Sequence, residues 1–434
     1  MAAVRCSRAH AHNRTPAQIV LPMTITEEFV AALPKTDLHV HIDGSLRLGS
    51  LIEMAKERSV ELPSYTEEGL MDLVFKERYN SLPDYLHGFA YTCAVLQDEE
   101  ALERSAYELA WDNIREGVRY IEPRFAPQLH INDKFDMARV MLSVHRGLKR
   151  AKDEFNRSDA VRDGSEPPFE YGIIVCAMRM FNEKFSRYFS NLIDVHPYSP
   201  AKSIYSMASM ELAQAAVAVR REYGIPVVGF DLAGREDGYP AEDHVPAYQY
   251  VHKHFLKKTV HAGEAYGPES IFQAITDLHA DRIGHGFNLF SPWTLEDPSV
   301  RDKQSYIREL SEYIADRRIT IEVCITSNLQ TNPNLKTLDH HTFGEMLKHR
   351  LSATLCTDNR LVSRTTMTRE IMLAVKHFHL TPSDLKHIIV YGFKRSFFPG
   401  SYLEKRAYVR RIIDYYEEVE RKFDVSTPPA TDEG

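Results

Sequence analysis

A (β/α)8 barrel is the architecture that this 434-residue sequence predicts, on three observations. Apolar, strand-like runs alternate with amphipathic helical stretches over most of the chain, the pattern of parallel strands joined by crossover helices. Six of the runs end in polar, chemically able residues: Asp37-Leu-His-Val-His-Ile-Asp43, Gly229-Phe-Asp-Leu-Ala-Gly234, Thr259-Val-His-Ala-Gly-Glu264, Arg282-Ile-Gly-His-Gly286, Cys324-Ile-Thr-Ser-Asn328 and Leu355-Cys-Thr-Asp-Asn359. Reactive groups gathered repeatedly at strand ends suit a barrel, whose active site lies at the C-terminal face of its strands. Third, the candidate ligands run from position 39 to 358 and must converge, which argues for one domain over 24–423 although the length would allow two or three.

The elements follow in order. The first strand is expected over 35–41, then a helix over 48–58 and a longer helical insertion over 67–116. The second strand, 118–125, contains Pro123, which cannot donate to a ladder and suggests the strand's end. A helix over 136–155 leads into 156–168, rich in Asp, Arg, Ser, Gly and Pro, which reads as a surface loop. The third strand is expected at 171–178, an Ala-rich helix at 207–223 and the fourth strand at 225–232. Strands five to eight are expected at 258–262, 282–285, 319–326 and 353–357. Helices near 246–257, 268–278, 302–317 and 343–348 connect them, and three more near 368–378, 382–391 and 403–423 follow. Residues 1–23 and 424–434 read as disordered tails, the second polar with two prolines.

Composition narrows the function classes. With 61 acidic against 53 basic residues the net charge is −8, which implies no diffuse basic face for nucleic acid. No run of 18 apolar residues provides a membrane span, and the basic first 20 residues lack the apolar core of a secretory signal. The five cysteines are scattered and form no C-x-x-C pair, as expected of reduced, mostly buried thiols in a cytoplasmic protein. Their scatter also excludes the zinc deaminases that hold their metal through a paired Cys motif.

His39 and His41 stand two residues apart in a strand, so both imidazoles leave one face while Leu38, Val40 and Ile42 take the other. Such a pair is able to bind a divalent metal. His261, His285, Glu264 and Asp358 complete the groups that a metal-activated water requires.

The ordered blocks His-x-His-x-Asp-Gly, Asp-Leu-Ala-Gly, His-Ala-Gly-Glu, Gly-His-Gly, Ser-Asn-Leu and Thr-Asp resemble the adenosine deaminase family of metal-dependent aminohydrolases, over about 36–397. The resemblance implies one Zn²⁺ per chain, held by His39, His41, His261 and Asp358 with one position left for water. It implies a proton-donating role for Glu264 and a water-orienting role for His285. It places the backbone N–H of Gly234 on a purine ring nitrogen and Asp43 on the ribose 5′-hydroxyl, with His41 and Asn359 also at the substrate. Asp43 favours adenosine over AMP, whose phosphate a carboxylate repels, and over free adenine, since related adenine deaminases tend to carry glutamate there.

Two further features bear on the substrate. Leu82, Tyr85, Leu86 and Phe89 have the i, i+3, i+4, i+7 spacing of one apolar helix face, which suits the family's lid over the sugar and equally a helix facing the core. Asn359 follows the metal-binding aspartate where many members have a second aspartate, and an amide donates to purine N7 without needing a proton. The expected activity is hydrolytic deamination of adenosine and 2′-deoxyadenosine. The alternatives are another aminopurine on the same scaffold and a non-catalytic, nucleoside- or protein-binding barrel.

Overall fold

In the computed structural model, which describes residues 25–425, eight parallel strands form a barrel. They are β1 (Lys35–His41), β2 (Val118–Phe125), β3 (Ile173–Met178), β4 (Val227–Ala233), β5 (Lys257–Ala262), β6 (Arg282–His285), β7 (Thr320–Val323) and β8 (Ala353–Leu355). A two-residue strand, Glu170–Tyr171, precedes β3 and pairs with β2. The barrel closes past the end of β8: the N–H of His41 donates to the Asp358 carbonyl at 2.7 Å and the N–H of Asp358 to the His39 carbonyl at 2.8 Å. The expectation for 1–23, and that for 424–434 beyond Val425, lie outside the described residues.

The strands form where they do because helices cover the outside of the sheet; nearly every strand position is buried, and polar residues such as His39, Glu122, Arg124 and Asp231 interleave with the apolar ones. Pro123 does not end β2, which continues to Phe125; a register shift in β1 between Asp37 and Val40 lies opposite it. The expected seventh strand overshoots. It ends at Val323, and Ile325–Thr331 is a helix, so the β-branched run Ile325-Thr326 leaves the barrel instead of extending it.

The barrel interior is ionic rather than aliphatic. Arg124 donates to Asp231 at 2.8 Å and Glu322 at 2.9 Å, and Arg282 donates to Glu322 at 2.6 Å and also pairs with Glu122. All five side chains are buried. Each charge is paired at least once, which keeps so costly a core stable.

The helical insertion expected over 67–116 consists of four helices, Glu67–Leu73, Leu82–Leu86, Phe89–Val95 and Glu99–Arg115. Segment 156–168 is not a free loop. It contains the helical turn Asp159–Arg162, and Arg411 of the last helix, Tyr402–Lys422, donates to the carbonyls of Val161 and Glu166. No helix among the described residues is long and apolar enough to cross a membrane.

Candidate active site

Each reactive side chain leaves the C-terminal end of a strand or the turn just beyond it. His39 and His41 come from β1, His261 from β5, Glu264 from the turn after β5, His285 from the end of β6, and Asp358 and Asn359 from beyond β8. His285 and Asp358 both have left-handed backbone, with φ of 63° and 59°. For non-glycine residues that conformation costs about 1–3 kcal/mol and is held by surrounding structure, here the barrel closure at Asp358 and the strand register at His285.

The groups converge. Ligand atoms of His39, His261, His285 and Asp358 lie within 4.8 Å of one another. His41 adjoins them, its Nε2 being 3.2 Å from His261 Nε2 and 3.5 Å from Asp358 Oδ1. Five groups thus surround one point, and hydrogen bonding distinguishes their parts.

His39 Nδ1 donates to Glu322 at 2.8 Å, and His261 Nδ1 donates to Asp231 at 3.1 Å. Both carboxyls stay ionised: burial opposes this, but Arg124 and Arg282 outweigh it at Glu322, and His261 with Arg124 does so at Asp231. Each acid can therefore only accept, so each histidine carries a proton on Nδ1, and a ring that holds no second proton turns its Nε2 lone pair inward. His39 Nε2 is buried without a hydrogen-bond partner, 3.5 Å from the Asp358 carboxylate. Burial opposes the Asp358 charge too, but His39 beside it, whose own pKa this carboxylate and Glu322 raise against burial, holds the Asp358 pKa well below the carboxylate range. Burial likewise keeps His41 neutral. Lone pairs facing a carboxylate, backed by a carboxylate behind each of two rings, are what a divalent cation satisfies. The residues fit a metal.

His285 differs. The backbone N–H of Phe343 donates to His341 Nδ1 at 3.0 Å, and burial keeps His341 neutral, its pKa lowered to about 3. Its proton is then on Nε2, which donates to Asn328 Oδ1 at 3.2 Å. That fixes the amide, so Asn328 Nδ2 donates to His285 Nδ1 at 3.1 Å. Burial holds His285 neutral as well, so its remaining proton sits on Nε2, 3.8 Å from Glu264. A nitrogen that bears a proton donates and does not ligate.

Glu264 is set by a carboxylate that the motif analysis did not single out. Glu236 accepts from the backbone N–H groups of Gly263, Glu264, Ala265 and Tyr266 at 2.8–3.0 Å and from the Ser270 hydroxyl. Gly263 makes the turn possible: its φ is 71°, and a Cβ there would lie 2.6 Å from Ile271 Cδ1. Burial, with Asp358 adding to it, raises the Glu264 pKa to about 8. The acid is protonated at neutral pH.

A cavity of about 430 Å³ opens over these groups, within the range of small-molecule sites. It is lined by His41, Asp43, Gly234, Glu264, His285 and Asn359, and all four proposed lid residues border it. The lid face is not one helix, since Leu82–Leu86 ends and Phe89 begins the next. Asp43 is buried, its Oδ1 accepts no hydrogen bond and lies 4.0 Å from His41 Nδ1, and burial raises its pKa to about 7. Asn359 Nδ2 donates to the Tyr85 hydroxyl at 2.7 Å, which also bonds Ser363 Oγ at 2.7 Å. Gly44 lets the amide in, for a Cβ there would overlap Asn359 Oδ1 at 1.8 Å. Sequence reading took Tyr85 as apolar and missed this contact. It also gave no part to Arg124, Asp231, Glu236, Glu322, Asn328 or His341; Asp231 and Asn328 do stand inside the strand-end blocks, which was the available signal.

Known proteins resemble this chain over most of its length. The sequence model described as adenosine deaminase matches residues 34–198 and 201–415. The chain is 33% identical over 398 residues to adenosine deaminase 1 of Streptomyces coelicolor, covering 90% of this chain and 88% of that one. It is 34% identical over 376 residues to adenosine deaminase of Mycobacteroides abscessus, covering 85% and 92%. Among solved structures, a zinc-bound amidohydrolase from Burkholderia ambifaria superposes with a TM-score of 0.73 at 19% identity, over 94% of this chain and 98% of that one, a likeness of fold.

Proposed function

This chain belongs to the adenosine deaminase family of metal-dependent aminohydrolases, and on that premise we propose that it hydrolyses adenosine, and 2′-deoxyadenosine with it, to the corresponding inosine and ammonia. His39, His41, His261 and Asp358 would hold one Zn²⁺. Zinc bound there supplies Lewis acidity that lowers the pKa of water from about 16 toward about 7, making a nucleophile available at neutral pH.

The remaining chemistry belongs to the chain. Glu264, protonated by its buried setting, gives its proton to purine N1 as the nucleophile adds at C6, then takes the proton of the hydroxyl added there and passes it to the departing amine. His285 directs its Nε2–H toward the place of attack and stabilises the charge that develops there. Asp43, its Oδ1 without a hydrogen-bond partner, accepts the ribose 5′-hydroxyl, and the backbone N–H of Gly234 donates to a ring nitrogen. Asn359 spends one N–H on Tyr85 and offers the other to N7. Leu82, Tyr85, Leu86 and Phe89 exclude water over the sugar. The observation that carries this reading is the meeting at one cavity of Glu264 and His285 with His39, His41, His261 and Asp358. The four described cysteines are buried and unpaired, which supports a reducing, cytoplasmic setting.

Ammonia release from a panel of adenosine, 2′-deoxyadenosine, adenine and AMP, with metal analysis of the protein used, tests the proposal. Adenosine and its deoxy form should be turned over fastest, by protein holding about one zinc per chain. Preference for adenine or AMP, or full activity in metal-free protein, would overturn it.

A further inference from the structure

At the opposite end of the barrel lies a second recess, and its charge is out of keeping with the chain. Its volume is about 470 Å³, and eight Lys and Arg side chains line it against a single acid, Asp281, in a protein whose net charge is −8. Lys257 and Lys258 stand at the start of β5, Arg282 at the start of β6, and Arg317 and Arg318 just before β7. Lys394 and Arg395 end the helix Pro382–Arg395, and Lys405 lies early in the last helix.

A bland account exists and falls short. In this fold the helices return to the N-terminal face, so four helix C-termini gather here, those of Val245–Lys253, Pro268–Thr276, Lys303–Asp316 and Pro382–Arg395. Each attracts cations with about half a negative charge. Arg282 is neutralised by Glu122 and Glu322, and Asp281 is shared by Lys257 and Lys258 at 3.5 and 3.1 Å. Arg317, Arg318, Lys394, Arg395 and Lys405 form no ion pair among the described residues. Four half-charges do not balance them. Arg395 Nε is buried without a hydrogen-bond acceptor, a donor that a bound anion would satisfy. Lys405 feels the crowding: burial, opposed by Glu122 and reinforced by Arg282, Lys257 and Arg395, lowers its pKa to about 8.

We propose that this recess is a binding site for a small polyphosphate anion, separate from the deaminase cavity. A recessed wall of guanidinium and ammonium donors suits a compact, multiply charged ligand, because forked arginine donors pair with phosphate oxygens through charge-assisted bonds.

Inorganic tripolyphosphate titrated calorimetrically into the full chain tests it, with ATP in a second arm to show whether a nucleoside adds affinity. One anion should bind per chain, more weakly as salt rises. The double variant Lys394→Ala/Arg395→Ala should bind about ten-fold more weakly or worse, the loss expected of charge-assisted bonds. Arg317→Glu, an exposed charge reversal that leaves the interior intact, should weaken binding in the same way while deamination continues. Absence of binding, equal affinity in wild type and both variants, or displacement by inosine would overturn the proposal, the last because the anion would then be in the deaminase cavity.

Discussion

Asn359 stands beside Asp358 at the cavity, and its contact with Tyr85 makes a part in base recognition testable. A carboxylate there must be protonated to donate to N7, whereas an amide donates at every pH, and Tyr85 holds that amide by one of its two N–H groups. Loss of the N7 partner leaves a buried donor unpaired, at a cost of ~1–3 kcal/mol or roughly 5- to 150-fold. 7-Deazaadenosine should therefore have a kcat/KM lower by that factor, and Tyr85→Phe, which frees the amide to turn, should narrow the gap. Equal treatment of the two substrates by the wild type would remove Asn359 from base recognition. The acid–base partner is as specific. As the proposed proton donor Glu264 would act while protonated; its pKa is raised to about 8 and a dication beside it would draw it back down, so kcat/KM should fall with rising pH through a limb no higher than about 8. The relay from Phe343 N–H through His341 and Asn328 gives a third expectation: His341→Phe should lower kcat with little change in KM, because it frees the His285 tautomer without touching substrate.

The strand ends explain why so much was legible. Seven of the eight strands fall within about two residues of their expected bounds because apolar residues concentrate in these buried parallel strands. The seventh misled because Ile325 and Thr326 look the same in a strand as in the helix Ile325–Thr331. The insertion misled in another way: the lid spacing is helical, yet the chain breaks between Leu86 and Phe89, and all four residues reach the cavity from two helices. The turn after β5 was unreadable, since its organiser, Glu236, stands 27 residues before the first N–H it accepts. Glu236→Gln sets an amide NH2 among those donors. It should cut kcat by about ten-fold or more with metal content unchanged, on the ~1–3 kcal/mol cost of an unpaired buried donor. A wild-type kcat in that variant would deny the turn its part in placing Glu264.

Across the molecule, the ligands were recognisable as blocks but their supports were not. His39 and Glu322 are separated by 283 residues and Arg124 and Asp231 by 107, and no local pattern announces a pairing of that range. Those supports make the barrel interior one connected set of charges, from His39 and His261 through Glu322, Arg124 and Asp231 to Arg282 at the far end. A metal binding the folded site and not the unfolded chain stabilises by mass action, about 4 kcal/mol when free metal is a thousand times its Kd. Chelation should accordingly lower the melting temperature and zinc should restore it, while His261→Ala should respond to neither. The most direct test of the central claim is the rate of ammonia release from adenosine by wild type and by Glu264→Gln at matched zinc content. The account predicts turnover by the wild type and a loss of ~10²-fold or more in the variant, the scale of general acid–base contributions. Wild-type turnover in Glu264→Gln, or none from the zinc-loaded wild type, would contradict it.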